Sequence, residues 1–137
     1  MSDRHQAREV AVKVLFQLEL QDSDWRTPMA YHLDELDLPK ASRLFAQALV
    51  EGAVAHRIEI DATLEAASSH WRIDQMGAPE RAVLRLAVEE LGWRRQDPVA
   101  VVINEAVELA KELGGADAGR FVNGVLGRVA QAVSVQS

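Results

Sequence analysis

The 137-residue sequence predicts an all-α fold, a compact bundle of about seven helices forming a single domain over residues 1–137. Three observations carry that prediction. Apolar residues recur at helical spacing in almost every segment. Each of the four prolines stands where a helical pattern begins, the part of a helix that tolerates proline best. The two stretches that imitate strands, Val99–Ile103 and the Asn123-Gly124 pair, resolve as helices once their flanking residues are placed at steps of about 100°. The chain is long enough for one domain with a substantial core and short for two.

The first helix runs from about Asp3 to Leu20, with Val10, Ala11, Val14, Leu15 and Leu18 on one face. A second begins at Thr27-Pro28, read as a capping residue followed by proline at the first helical position. A long third segment starts near Pro39 and continues through Leu44, Ala48, Leu49 and Ile58 to about Ala67, with a break expected near Gly52. Pro79 opens PERAVLRLAVEEL, whose Val83, Leu84, Ala87 and Leu91 form one stripe. Arg81, Arg85 and Glu89 repeat at four-residue spacing on its other side, expected to be a solvated face with weak ion pairing. Arg94 and Arg95 follow, where positive charge suits a helix C-terminus. Pro98 opens the next helix, with Val102, Ala106, Leu109, Ala110 and Leu113 on one face and Asn104, Glu108 and Lys111 opposite; Gly114-Gly115 ends it.

The last segment contains RFVNGVLGRV. Asn-Gly between apolar residues is a strong hairpin signal, but the spacing opposes it. With Phe121 at 0°, Val125, Val129, Val122, Val133 and Leu126 fall between about 40° and 140°. Asn123, Gly127, Arg120, Gln131 and Gly124 fall between about 200° and 300°. This is an amphipathic helix, with Asp117 placed as its N-cap. Each interior glycine costs about 1 kcal/mol relative to alanine. Bare backbone on a polar face implies close approach, either by another helix of the bundle or by a ligand or partner.

Composition narrows the function. There is no cysteine, which excludes a disulfide framework, thiolate metal sites and cysteine nucleophiles, and fits a cytoplasmic protein. The polar N-terminus MSDRHQAREV is unlike a secretory signal, and no apolar run is long enough to span a bilayer. GGADAGRF echoes a phosphate loop but lacks its Lys-Ser/Thr ending and follows a helix, so it reads as a helix-to-helix turn. His56 and Glu59 stand three apart with no third metal ligand at a clear spacing, and His32 and His70 are isolated. No pair of carboxylates is marked out as acid and base. The expectation is a protein without catalysis or cofactor.

The net charge of −6 opposes general nucleic-acid binding, yet two local surfaces favour it. Arg4, His5 and Arg8 cluster at the start of the first helix, whose amides and dipole also attract phosphate, although residues 1–16 carry a net charge of only +1. Phe16 lies with Val12 and His5 away from the main apolar stripe, either as a second packing face or as a partner-facing aromatic. Phe121 sits on the shoulder of its helix near Arg120 and Arg128, a pattern that can stack an unpaired base while holding phosphate.

The blocks RHQAREVAVKVLFQLEL, APERAVLRLAVEEL, VVINEAVELAKELGG and RFVNGVLGRV resemble, in order and spacing, the NusB family of bacterial transcription antitermination factors. The resemblance covers nearly the whole chain and is weakest from about Gln21 to Trp71. It implies two small three-helix units sharing one core. It also implies pairing with NusE, a protein of the small ribosomal subunit, and binding to single-stranded boxA RNA in nascent transcripts, notably of ribosomal RNA operons. Other Nus factors and RNA polymerase are then indirect partners, with no membrane role, and some NusB-like proteins form homodimers over the RNA-binding surface.

By the same resemblance, RNA contacts fall to Arg4, His5 and Arg8 and to Asp117, Arg120 and Phe121, while Phe16, Asp74 and Glu80 face NusE. His5 and Gln6 stand where the family often carries further arginines. An acidic chain can bind RNA when a small basic edge positions the strand and a partner supplies further phosphate contacts. Two alternatives remain: an RNA-binding accessory subunit of a ribosomal RNA methyltransferase, and a helical adaptor that binds protein alone. A methyltransferase itself needs a Rossmann-like domain with a catalytic cysteine, and these residues contain neither.

Overall fold

Helix α1 (Asp3–Leu20) starts at Ser2, whose side chain accepts a hydrogen bond from the backbone N–H of His5. The computed structural model describes residues 2–68 and 71–136, with side chains described up to residue 132, so His70 and the Val133 side chain lie outside the described residues. Among the described residues seven α-helices run in order: α1, α2 (Arg26–Asp34), α3 (Lys40–Ala55), α4 (Arg57–Ala67), α5 (Ala78–Glu89), α6 (Val99–Gly114) and α7 (Ala116–Gln136). A 3₁₀ turn, Ile73–Gln75, precedes α5, and a π-helical turn, Glu90–Arg94, extends it. No strand occurs among the described residues.

Three helix boundaries differ from the sequence expectation. Helix α2 begins at Arg26, one residue before Thr27, and its first amide donates to the Asp24 carboxylate at 3.0 Å. Pro28 is therefore the third helical residue, where its missing N–H is still one of the four that a helix leaves unpaired. The long third segment breaks at His56, with φ −100° and ψ 19°, and Gly52 stays inside α3. Gly52 is there for close approach: the Glu89 carboxylate occupies the space a Cβ would need. Asp117 is the second residue of α7 and pairs with Arg120 one turn on, so it is not the N-cap. The link between α6 and α7 is Gly115, at φ 88°, a left-handed conformation suited to glycine.

Helices α1, α2 and α3 pack together, α6 packs extensively on α7, and α4 rests on α7. Helix α5 touches α1, α3, α4, α6 and α7, joining the two groups around one continuous apolar core. From Ala82 to Leu91 every residue is buried. That centrality overturns the expected solvated face of Arg81, Arg85 and Glu89: Arg85 is 7% exposed and Glu89 is 0% exposed.

A helix covered on all sides must find partners for its polar residues within the protein. Arg81 donates to both Glu19 carboxylate oxygens at 2.8 Å and to the carbonyls of Ile73 and Met76. Arg85 bridges Glu19 at 2.6 Å and Asp61 at 2.9 and 3.0 Å. Glu89 meets His56 Nδ1 at 2.7 Å, and the His56 ring stacks on Trp93 with centroids 4.2 Å apart.

The hydrogen bond from Arg81, with both guanidinium charges, holds the Glu19 carboxyl below its ordinary value of 4.5 despite partial burial. A carboxyl depressed in the folded state contributes stability that is present above its unfolded value and is lost as pH falls through the folded one. Glu19→Gln should therefore flatten the decline of stability below about pH 4.5 and leave the slope near neutrality unchanged. Urea unfolding across that range measures it. Asp97, also depressed, should supply the residual slope.

Candidate nucleic-acid interface

At the start of α1 the three implied RNA residues have different surroundings. Arg4 is partly exposed; its guanidinium lies 3.7 Å above the Phe45 ring, donates to Asp97 at 3.1 Å and reaches Gln96 at 3.1 Å. Arg8 is 3% exposed. It donates from Nε and Nη2 to the two oxygens of buried Glu90 at 2.9 and 2.5 Å, and from Nη2 to Asp97 at 2.5 Å. Burial pulls its pKa down, and the hydrogen bonds and charges of Glu90 and Asp97 outweigh that, so it stays charged. His5 is buried between α1 and α6, with Nδ1 hydrogen-bonded to Glu105 and Nε2 3.9 Å from Glu112. Of this block, Arg4 presents the most accessible cation.

The start of α7 is more open. Asp117 and Arg120 are highly exposed and paired with each other. Phe121 is partly buried against the core, and its outer edge meets Trp71 in a T-shaped contact with centroids 5.9 Å apart. Trp71 is 50% exposed. Arg128, one helical turn beyond Gly124, donates to the Ala67 carbonyl at 2.5 Å and ties α7 to the end of α4. A Cβ built on Gly124 or Gly127 meets nothing within 4 Å. Of the two explanations for bare backbone, packing by another helix of this bundle is therefore removed. Asn123 shares the face and is exposed.

Helix α6 connects the two blocks. Glu112, beside His5, stands three residues before Gly115, so the start of α7 follows within about one helical turn. Of the three residues implied for NusE, Glu80 lies at this corner: its carboxylate occupies the space where a Cβ on Gly77 would stand and comes within 3.0 Å of one on Gly114. Asp74 is exposed and paired with Arg72 at 3.0 Å. Phe16 is partly buried against the core, as a second packing face requires, with part of its surface left accessible.

Comparison with known proteins identifies this arrangement. Residues 5–131 match the NusB family. The chain belongs to the NusB family. A transcription antitermination protein NusB of Saccharopolyspora erythraea is 45% identical over 131 residues, covering 95% of this chain and 88% of that relative. Its counterpart in Desulfitobacterium hafniense is 40% identical over 133 residues, covering 96% of this chain and 90% of that relative. A solved structure of the antitermination factors NusB and NusE in complex with double-stranded RNA matches with a TM-score of 0.88 and 34% identity, covering 96% of this chain and 98% of that one.

Two features of this NusB-family corner escape sequence reasoning. Trp71 lies in the stretch where the family pattern is weakest, and its contact with Phe121 spans fifty residues of chain. Phe45, the buried platform under Arg4, is not singled out in the third segment, which reads through its neighbour Leu44. No helix among the described residues is long and apolar enough to cross a membrane.

Proposed function

We propose that this chain is a cytoplasmic transcription antitermination factor that pairs with NusE and binds boxA RNA in nascent transcripts, acting by binding and without catalysis. The observation that carries the reading is the close match, over 96% of the chain, to a NusB solved together with NusE and RNA. The open face of α7 supports it. Phe121 and Trp71 offer aromatic surface for an unpaired base, Arg120 offers a phosphate partner, and the bare backbone at Gly124 and Gly127 admits a strand closely. Arg4 extends the cationic edge, with Asp117 orienting Arg120.

The burial of His5 and Arg8 and their pairings support a role for them in shaping that edge. Arg8 fixes Asp97, and Asp97 fixes Arg4. Phe16, Asp74 and Glu80 are the residues proposed to face NusE, which in turn links the chain to the other Nus factors and RNA polymerase. A homodimer closed over the α7 face would compete with RNA, so light scattering should show any such dimer dissolving as RNA binds.

Titration of the protein against a boxA-like RNA and a scrambled control, with and without NusE, tests the proposal. Preference for boxA, strengthened by NusE, is expected. Equal binding of both RNAs in both conditions would refute it, and binding of neither RNA would favour the adaptor that binds protein alone.

A further inference from the structure

The geometry points to a divalent transition-metal site made by His5, Glu9 and Glu112, suited to Zn²⁺ or Mn²⁺, that pins the first turns of α1 to the end of α6. His5 and Glu9 are four residues apart and share one face of α1, and Glu112 reaches them from α6. One potential ligand atom from each lies within 4.8 Å of the others. The second observation is His5 itself. It is 9% exposed, and its Nε2 is buried without any hydrogen-bond partner while facing Glu112 Oε1 at 3.9 Å.

A buried imidazole nitrogen without a partner is uncommon, because desolvating it unpaired is unfavourable. The other nitrogen explains its orientation. Nδ1 is hydrogen-bonded to the Glu105 carboxylate, and with the proton held there, Nε2 keeps its lone pair on the side of Glu112. A carboxylate behind an imidazole is the outer-shell arrangement that orients histidine ligands and raises their basicity. One imidazole nitrogen and two carboxylates favour a borderline ion such as Zn²⁺ or Mn²⁺ over Ca²⁺ or Mg²⁺, which prefer all-oxygen shells.

Tetrahedral coordination at about 2.0–2.1 Å separates ligand atoms by roughly 3.3 Å. Closing from 3.9 Å for the His5–Glu112 pair, and from at most 4.8 Å for the others, asks for rotation of the Glu9 side chain and of Glu112, which is about half exposed. Glu9 must exchange its 3.4 Å contact with Lys13, an exposed pair that holds it weakly. Three protein ligands leave a fourth position for water. The inference stands on these residues alone and is independent of the RNA reading.

Chelator-treated full-length protein, titrated with Zn²⁺, Mn²⁺ and Mg²⁺ by calorimetry and thermal melting, tests the site. One Zn²⁺ per chain is expected, with a rise in melting temperature of at least about 5 °C at hundredfold excess over Kd, and no comparable response to Mg²⁺. Glu112→Gln and Glu9→Gln are surface changes and should retain the helical circular dichroism while losing the Zn²⁺ response by tenfold or more in affinity. His32→Ala should keep it. Absence of saturable 1:1 binding, or Zn²⁺ binding unchanged in both glutamine variants, would overturn the assignment. So would a loss with His32→Ala equal to that of the glutamine variants.

Discussion

Arg8→Ala is expected to lower the unfolding free energy by about 3–5 kcal/mol, because it strips a buried carboxylate of its one charged partner among the described residues. Glu90 is 1% exposed and both of its oxygens are hydrogen-bonded by Arg8. Without the guanidinium, Glu90 is left as an uncompensated carboxylate in a buried setting. Pairing the change with Glu90→Leu, as Arg8→Met/Glu90→Leu, should recover most of the stability, since a matched apolar pair can replace a buried ion pair at little cost. Urea midpoints of the three proteins measure this. The double variant also separates roles: if Arg8 acts by holding Asp97 and Arg4, its RNA affinity falls modestly while a direct phosphate contact would give a reduced salt dependence as well.

Trp71→Ala and Phe121→Ala should each weaken RNA binding by roughly 5- to 150-fold, the range given by 1–3 kcal/mol per stacked base. Their effects on stability should differ. Trp71 is half exposed, so its removal leaves the fold intact. Phe121 is partly buried against the core, so its truncation should cost about 1–2 kcal/mol in addition. Because the two rings touch, the double variant should lose less than the product of the single losses. Anisotropy titrations beside thermal melts check both parts. A large loss of melting temperature for Phe121→Ala with unchanged RNA affinity would place the ring in the core alone.

The helices were legible in the sequence where one face is apolar and the ends carry a signal. Helix α1 follows its apolar stripe from Asp3 to Leu20, and α7 emerges from the angles around Phe121 in spite of its Asn-Gly pair. Periodicity reports which face of a helix is apolar; it does not report whether the other face is covered. For that reason Arg85 and Glu89 read as solvated, although Asp61, Glu19 and His56 wait for them 24 to 66 residues away. Gly52 misleads in the same way: glycine usually marks a break, and here it makes room for the Glu89 carboxylate contributed by α5. At the candidate interface, Arg120 and Phe121 were visible because they share a recognisable block. Trp71 was not, since an isolated tryptophan in an unpatterned stretch carries no spacing to read.

The open backbone of α7 offers the most direct test of where RNA lies. In Gly124→Ala/Gly127→Ala, both new methyl groups enter open space, and two interior glycines leave a helix. Stability should therefore rise, by about 0.4–1 kcal/mol per site. If boxA RNA lies against this face, the same methyl groups obstruct it. Melting temperature and RNA affinity measured on this one protein, in the presence of NusE, should then move in opposite directions: a higher melting temperature with weaker boxA binding. A higher melting temperature with boxA affinity equal to that of the unaltered chain would show that RNA does not approach α7, and would contradict the interface proposed for this protein.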